Sequence, residues 1–252
     1  MTIHATIEKL NNMKMYGMVR ALRTAIETGR ISDYAPDEFL AYLVETEHID
    51  RSNRVIDRRL KQARFRYPAH IEEIDFASAR GLNKGLFMNL AAGHYLAGKE
   101  NLIITGATGT GKSYLASALG NQACQHGHKV AYFNAGKLFE QLKLSKIDNS
   151  HVKEIRRIST QDLLIIDDFG IQPFDHESRL FLYEILEDRV GVKSTIVTSQ
   201  IPVSHWHDLI GESTIADAIL DRLVHSSHRL ELTGVSMRQK QRPKEVKPKE
   251  TE

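Results

Sequence analysis

Gly106-Ala107-Thr108-Gly109-Thr110-Gly111-Lys112-Ser113 sets glycines, a lysine and a hydroxyl in the pattern G-x-x-x-x-G-K-[ST]. These residue types at this spacing suit the holding of a nucleoside triphosphate. Glycines let backbone N–H groups turn inward around phosphate oxygens, the Lys112 ammonium reaches the β- and γ-phosphates, and the Ser113 hydroxyl ligates Mg2+. Tyr114 follows directly and is grouped with the nucleotide-contacting residues. The motif needs a strand before it and a helix after it. Leu102–Ile104 supplies an apolar strand, and a helix from Lys112 to about Gln125 aims its partly positive N-terminus at the same anion.

A second apolar run, Leu163-Leu164-Ile165-Ile166, ends in Asp167 and Asp168. An apolar strand delivering carboxylates at its end makes Asp167 the candidate metal-side acid and Asp168 the candidate base that positions an attacking water. Two acids alone would more often cap a turn; following a phosphate loop, they point to its second half. ATPases of this architecture usually carry Glu where Asp168 stands, so a side chain one methylene shorter predicts slow hydrolysis. A third run, Ser194 to Thr198, ends in Ser199 and Gln200. In a parallel sheet that end lies beside the cradle, which makes Gln200 a candidate contact for the γ-phosphate or the attacking water. Loop capping by Thr198, Ser199 or Gln200 is an equal alternative. Arg222 sits in an apolar-faced helical pattern, Ile215 to His225. On the residues alone it reads first as an intrahelical or interhelical ion pair with an acid such as Asp221 or Asp217, and second as an arginine lent to a neighbouring subunit's nucleotide.

The elements that must position these groups follow from periodicity. Apolar runs at Leu102–Ile104, Val130–Phe133, Leu163–Ile166, Thr195–Thr198 and His228–Leu232 alternate with helical stretches, which predicts a parallel sheet covered on both faces. Upstream, Met15, Met18, Val19, Leu22 and Ile26 recur at helical spacing, and Gly29 ends the pattern. A second helix after Pro36 carries Phe39, Leu40, Leu43 and Val44 on one side and extends toward Val55 and Leu60, with Pro68 as its stop. The sequence thus predicts an all-α region over residues 1–68, an α/β domain over 69–238 and a disordered charged tail over 239–252.

Lys and Arg total 34 against 32 Asp and Glu, so the distribution of charge says more than its sum. Arg51, Arg54, Arg58, Arg59, Lys61, Arg64 and Arg66 crowd one segment opposed only by Asp57. Such density suits neutralising nucleic-acid phosphates, with a solvated helix face as the equal alternative. Phe65 and Tyr67 add either base stacking or packing. Trp206 is expected to dock on the sheet edge rather than stack on a base. The flanking histidines, His205 and His207, lack the spacing of a metal site. One cysteine, Cys124, excludes an internal disulfide and a Cys-rich metal site. No run is long and apolar enough for a membrane span, and the start lacks a signal-peptide layout, so the expectation is a cytoplasmic protein without membrane contact.

Together, the basic helical N-terminal region, NLIITGATGTGKSYLA, LLIIDDFG, IVTSQIPV, IADAILDRLVHSSHRLEL and the closing Gly234 to Arg238 resemble the IstB family. These are ATP-binding helpers of bacterial insertion sequences, related to the DnaC helicase loaders within the AAA+ superfamily. The resemblance implies a three-layer P-loop NTPase (AAA+) fold with a central parallel five-stranded sheet, preceded by a small all-α domain. It implies ATP and Mg2+ as cofactors, with Gly106 to Ser113 as the Walker A loop and Asp167-Asp168 as the Walker B pair, commonly Asp-Asp in this family. Gln200 falls at the sensor position where DnaC-like relatives carry Asn, Arg222 at the arginine-finger position, and Arg238 at that of a second sensor arginine. Too few residues follow Leu232 for the helical lid that normally carries such an arginine. The family's role is to bind double-stranded DNA as an ATP-dependent homo-oligomer, with ATP sites at subunit boundaries, and to assist a partner transposase.

Two other readings stand beside it. A helicase loader of the DnaC type would share the motor motifs and differ in partner. A P-loop small-molecule kinase would leave the basic helix unexplained, and no substrate pocket or arginine-bearing lid is visible in the sequence.

Overall fold

The computed structural model describes residues 2–77, 80–234 and 236–237. The chain divides into two units, Met1–Arg59 and Leu60–Glu252.

In the first unit, α1 (Ile3–Asn12) and α2 (Tyr16–Glu27) precede α3 (Pro36–Ala63), which runs on past the unit's end. The periodic residues Met18, Val19, Leu22 and Ile26 lie on α2, with Met15 as its N-cap; α1, which the pattern did not include, precedes it and is parted from it at Lys14, whose φ is 58°. Asn11 and Asn12, which end α1, are the local signal for that stop. Gly29 takes the left-handed conformation expected of it, φ 69°. Ile7, Val19 and Leu22 form a small core with Leu10, Phe39 and Leu43. Leu40 and Val44, assigned to the same helix side, are instead exposed. The buried Glu47 carboxylate accepts the N–H groups of Gly17 at 2.7 Å and Met18 at 3.2 Å. An anion there satisfies donors that the first turn of α2 would otherwise leave unpaired.

The second unit is built on strands β1 (Asn101–Gly106), β2 (Val130–Asn134), β3 (Leu163–Phe169), β4 (Ser194–Ser199) and β5 (Ser227–Leu232). Each contains one of the apolar runs read from the sequence. All pairings are parallel, in the order β2-β3-β4-β1-β5. Near-continuous Ile, Leu and Val runs are what a sheet buried on both faces requires. Alternate side chains part to opposite cores. Leu102, Ile104, Ile165 and Ile196 pack with α4 (Lys84–Ala91), α5 (His94–Ala97) and α6 (Lys112–Gln125). Ile103, Ile166 and Val197 pack with α7 (Ala135–Ile147), α8 (His151–Ser159), α9 (His176–Arg189), α10 (Trp206–Ile210) and α11 (Ser213–Val224). The unit is therefore a three-layer α/β sandwich, and each fully buried Leu or Ile contributes about 1.5–3 kcal/mol of transfer free energy.

The boundary at Arg59/Leu60 falls ahead of the position 68 suggested by Pro68. Helix α3 ends at Ala63, and Ala63 and Ala69 are buried in the sheet's core with Leu60, Phe65 and Tyr67 packed against it. Trp206 is fully buried against Phe169, with its indole N–H donated to the Ile201 carbonyl at 2.9 Å. Cys124 is buried in α6. Arg189, 1% exposed, donates to the carbonyls of Ile158, Ser159, Gln161 and Ser194, tying the entry ends of β3 and β4. No helix among the described residues is long and apolar enough to cross a membrane.

Candidate nucleotide-binding site

Parallel order sets the site's plan. β1 leads into the glycine loop, β3 ends in the two acids, and β4 lies between them with Thr198, Ser199 and Gln200 at its end. Ligands in such sheets gather at the carboxyl ends of the strands.

The loop from β1 to α6 turns on Gly106, φ 149°, and Gly111, φ 98°. A β-carbon at Gly106 would lie 2.4 Å from the Leu232 carbonyl oxygen, and one at Gly111 would lie 2.8 Å from the Arg80 guanidinium. Backbone conformation favours glycine at both positions, and at Gly106 the neighbouring main chain demands it as well. The Lys112 ammonium is held against the loop's own carbonyls, 2.6 Å from Gly106 O and 2.8 Å from Ala107 O. The Thr110 hydroxyl donates to Ala107 O at 2.8 Å, and Thr108 donates to Gln200 Oε1 at 2.6 Å. From the far end of the chain, the Met237 N–H reaches Gly109 O at 2.8 Å. Arg238, the next residue, lies outside the described residues, as does the tail at 239–252.

Asp167 is fully buried. Its carboxylate accepts from Ser113 Oγ at 2.8 Å, from the hydroxyls of Thr198 and Tyr132, and from Arg66 Nη1 at 3.2 Å. That many donors is what allows a carboxylate to stay buried. Burial raises the Tyr132 hydroxyl well above its ordinary value and the Asp167 carboxylate raises it further, so the phenol stays a neutral donor. Asp168 adopts φ 61°, a left-handed conformation that aspartate tolerates better than most residues, where the pairing of β3 with β4 shifts register between Ile166 and Phe169. A bulge of this kind re-aims a side chain. The Asp168 carboxylate accepts from Arg66 Nη1 at 2.8 Å and from Asn134 Nδ2 at 3.1 Å, and its N–H donates to Thr198 Oγ1 at 3.2 Å. Burial alone would lower the Arg66 guanidinium, but its hydrogen bonds to Asp168 and Asp167 outweigh that and raise it.

A cavity of about 510 Å3 opens over Gly109, Gly111, Lys112, Ser113, Asp168 and Gln200, walled on its other side by Arg66, Tyr67, Glu73, Arg80 and Tyr114. Tyr114 donates its hydroxyl to Glu73 Oε2 at 2.7 Å. Arg80 is buried, with its guanidinium donating to Thr110 O at 3.3 Å and Asp75 O at 2.8 Å; burial lowers it from the usual arginine value. The oxygens of Ser113, Asp167 and Asp168 form a hard donor set that fits Mg2+. Among the described residues there is no cluster of three His, Cys, Asp or Glu side chains to hold a metal unaided. A metal here would draw its remaining ligands from phosphate oxygens and water.

Gly106 to Tyr114, Asp167, Asp168 and Gln200 thus converge. Arg222 does not: it lies at the opposite end of the sheet, where Asn101, the first residue of β1, donates to its carbonyl at 2.9 Å. Its guanidinium makes an interhelical ion pair, as the residues alone suggest, with Glu187 of α9 rather than Asp221 or Asp217 as the acid, and sits 4.9 Å from the Tyr183 ring centroid. Of the basic segment, Arg51 pairs with Glu47, and Arg54 with Glu47 and Asp50. Arg58, Arg59, Lys61 and Arg64 form no ion pair among the described residues, while Arg66 is committed to the two acids. Arg66, Arg80, Tyr132 and Asn134 are site residues that the sequence did not single out as such. Asn134 and Tyr132 carried a signal, standing at the end of β2 next to the acid strand, with Asn134 in register with Asp167. Arg80 carried none.

Residues 8–245 match the family described as IstB-like ATP binding protein. An insertion sequence ATP-binding protein of Sinorhizobium fredii, y4pL, is 44% identical over 244 residues, covering 97% of this chain and 100% of the relative. The ATP-binding protein of insertion sequence IS21 from Pseudomonas aeruginosa is 31% identical over 93% of this chain and 89% of its own length. Among solved structures, DnaI superimposes with a TM-score of 0.58 at 20% identity, over 70% of this chain and 94% of that one. The DnaC helicase loader gives 0.57 at 18% identity, over 66% of this chain and 97% of that one. At those identities the likeness is one of fold.

Proposed function

The chain belongs to the IstB-like ATP-binding family, and from that premise we propose that it is an ATP-dependent, DNA-binding AAA+ ATPase that oligomerises on double-stranded DNA and assists a transposase in choosing its target. The observation that carries the nucleotide part of this reading is the hydrogen bond from Ser113 to Asp167, which joins the phosphate loop to the acid strand at one end of the sheet; the transposition part rests on the likeness to insertion-sequence ATP-binding proteins. The insertion-sequence relatives y4pL and that of IS21 align over 97% and 93% of this chain, whereas the helicase loaders share its fold at 18–20% identity, so the transposition reading is favoured over the loader reading.

Backbone N–H groups from Gly106 to Ser113 and the Lys112 ammonium hold the triphosphate, with Gln200 beside it. Ser113 and Asp167 hold Mg2+, which when bound neutralises charge on the phosphates. Asp168 orients the water. Arg222, at the far end of the sheet, serves a neighbouring subunit's site, which makes nucleotide a link between copies. Residues 1–68 contribute contacts to DNA and partner, with Arg58, Arg59, Lys61 and Arg64 as the cations available for phosphate. Phosphate contact of this kind is insensitive to sequence and steeply salt-dependent.

The test is DNA binding and particle size in ATP, in ADP and without nucleotide, on the parent chain and Lys112→Ala. The expected result is ATP-dependent assembly on DNA by the parent and none by the variant. Unchanged ATP affinity in Lys112→Ala overturns the site assignment.

A further inference from the structure

Arg66 stands apart from the rest of the basic segment. One nitrogen of its guanidinium, Nη1, bridges both acids, 3.2 Å from Asp167 Oδ2 and 2.8 Å from Asp168 Oδ2. Those are oxygens of the very carboxylates that hold the metal and the water in the reading above. Asp167 turns Oδ1 to Ser113 and Oδ2 to Arg66, so a divalent cation drawn in beside Ser113 would meet a guanidinium already seated on the other oxygen of the same carboxylate and repel it. The two compete for the pair's charge.

The surroundings of Arg66 make exchange easy. Phe65 lies against Gly120 and the edge of the Tyr132 ring, 6.2 Å between centroids, and Tyr67 lies 6.1 Å from Tyr114. These flanking aromatics pin the main chain on both sides of Arg66. Its own side chain is 41% exposed, so leaving the acids takes rotation of a long, partly solvated side chain rather than refolding of the segment. The Tyr67 ring, 5.6 Å from the guanidinium carbon, already flanks that path.

We propose that Arg66 is a built-in cation that occupies the Asp167–Asp168 pair and is displaced by Mg2+-nucleotide, so that loading the site releases one arginine of the basic segment. This rests on the nucleotide reading of the site and adds a regulator to it. By linkage, whatever draws Arg66 away, DNA phosphate included, tightens Mg2+-nucleotide by the same factor that Mg2+-nucleotide tightens it.

The test uses the full chain as parent, Arg66→Ala and Arg66→Lys. ATP is titrated in Mg2+ and in a metal chelator, and thermal midpoints are recorded with Mg2+ alone. A hydrogen-bonded charge pair of this kind sets the scale, so Arg66→Ala is expected to tighten Mg2+-ATP about tenfold while metal-free ATP changes less than about twofold. Arg66→Lys falls between. With Mg2+ alone, the parent midpoint stays put, whereas Arg66→Ala starts lower and is raised back. Weaker Mg2+-ATP binding by Arg66→Ala would mean that the guanidinium contacts nucleotide directly, and overturns the proposal. Equal affinities, or a lowered midpoint that Mg2+ does not restore, overturn it as well. If Lys112→Ala binds ATP like the parent, the site reading fails instead, and the midpoints in Mg2+ alone still decide the role of Arg66.

Discussion

Ser113 donates its hydroxyl to Asp167 across 2.8 Å, a bond between the first turn of α6 and the end of β3. Asp167 holds that position because Thr198, Tyr132 and Arg66 direct donors at it too. Geometry at the phosphate loop and stability of the sheet are therefore coupled through one buried carboxylate.

Replacing it separates the two contributions. Asp167→Ala leaves the hydroxyls of Ser113, Thr198 and Tyr132 without this acceptor, while Arg66 keeps Asp168, and is expected to cost about 1–3 kcal/mol for each buried donor left unpaired, read in denaturant unfolding. Asp167→Asn keeps the shape and one acceptor oxygen and costs less. It should still abolish the Mg2+-dependent part of ATP affinity, read by titration with and without chelator. An Asp167→Asn chain that kept its full Mg2+ dependence would move the metal role to Asp168.

Much of the plan was legible because it rests on local patterns. GATGTGKS fixes its own conformation through glycine, and the strands announce themselves as apolar runs ending in polar residues. Legibility stops where function depends on chain-distant partners. Arg66 reads as one more cation in a basic run, and only the recruitment of Phe65 and Tyr67 by the sheet core turns it toward Asp168. Arg80 has no periodic context, yet its buried guanidinium crowds Gly111. The left-handed bulge at Asp168 interrupts β3 behind an unbroken run of β-forming residues, with no glycine at the position itself to announce it.

Acid sensitivity of the helical region should trace to Glu47. Burial would raise its carboxyl, but hydrogen bonds from Arg51 and from the N–H groups of Met18 and Gly17 outweigh that and hold it below the ordinary 4.5. A folded value below the unfolded one gives stabilisation that is complete above 4.5 and is lost as pH falls through the folded value. Glu47→Gln should therefore lower the thermal midpoint at neutral pH, with the gap to the parent narrowing as pH drops below 4.5. A gap constant with pH would assign the effect to packing rather than charge.

Arg222 tests whether the site is shared between subunits. Its guanidinium pairs with Glu187 at the opposite end of the sheet from the phosphate loop, so it cannot assist the nucleotide of its own chain. Arginines that complete a neighbour's site are worth about 10³-fold or more in hydrolysis. Arg222→Ala should keep ATP affinity within about twofold and lose hydrolysis on that scale. Lys112→Ala should be inactive through the other half of the site. Mixed in equal amounts, the two variants should regain part of the parental rate, because an intact cradle from one chain can meet an intact arginine from the other. Glu187→Gln, which frees Arg222 without removing it, should hydrolyse ATP at least as fast as the parent. If the mixture stays inactive and Glu187→Gln loses activity in step with its stability, Arg222 is a structural ion pair tying α11 to α9, and the shared-site reading falls.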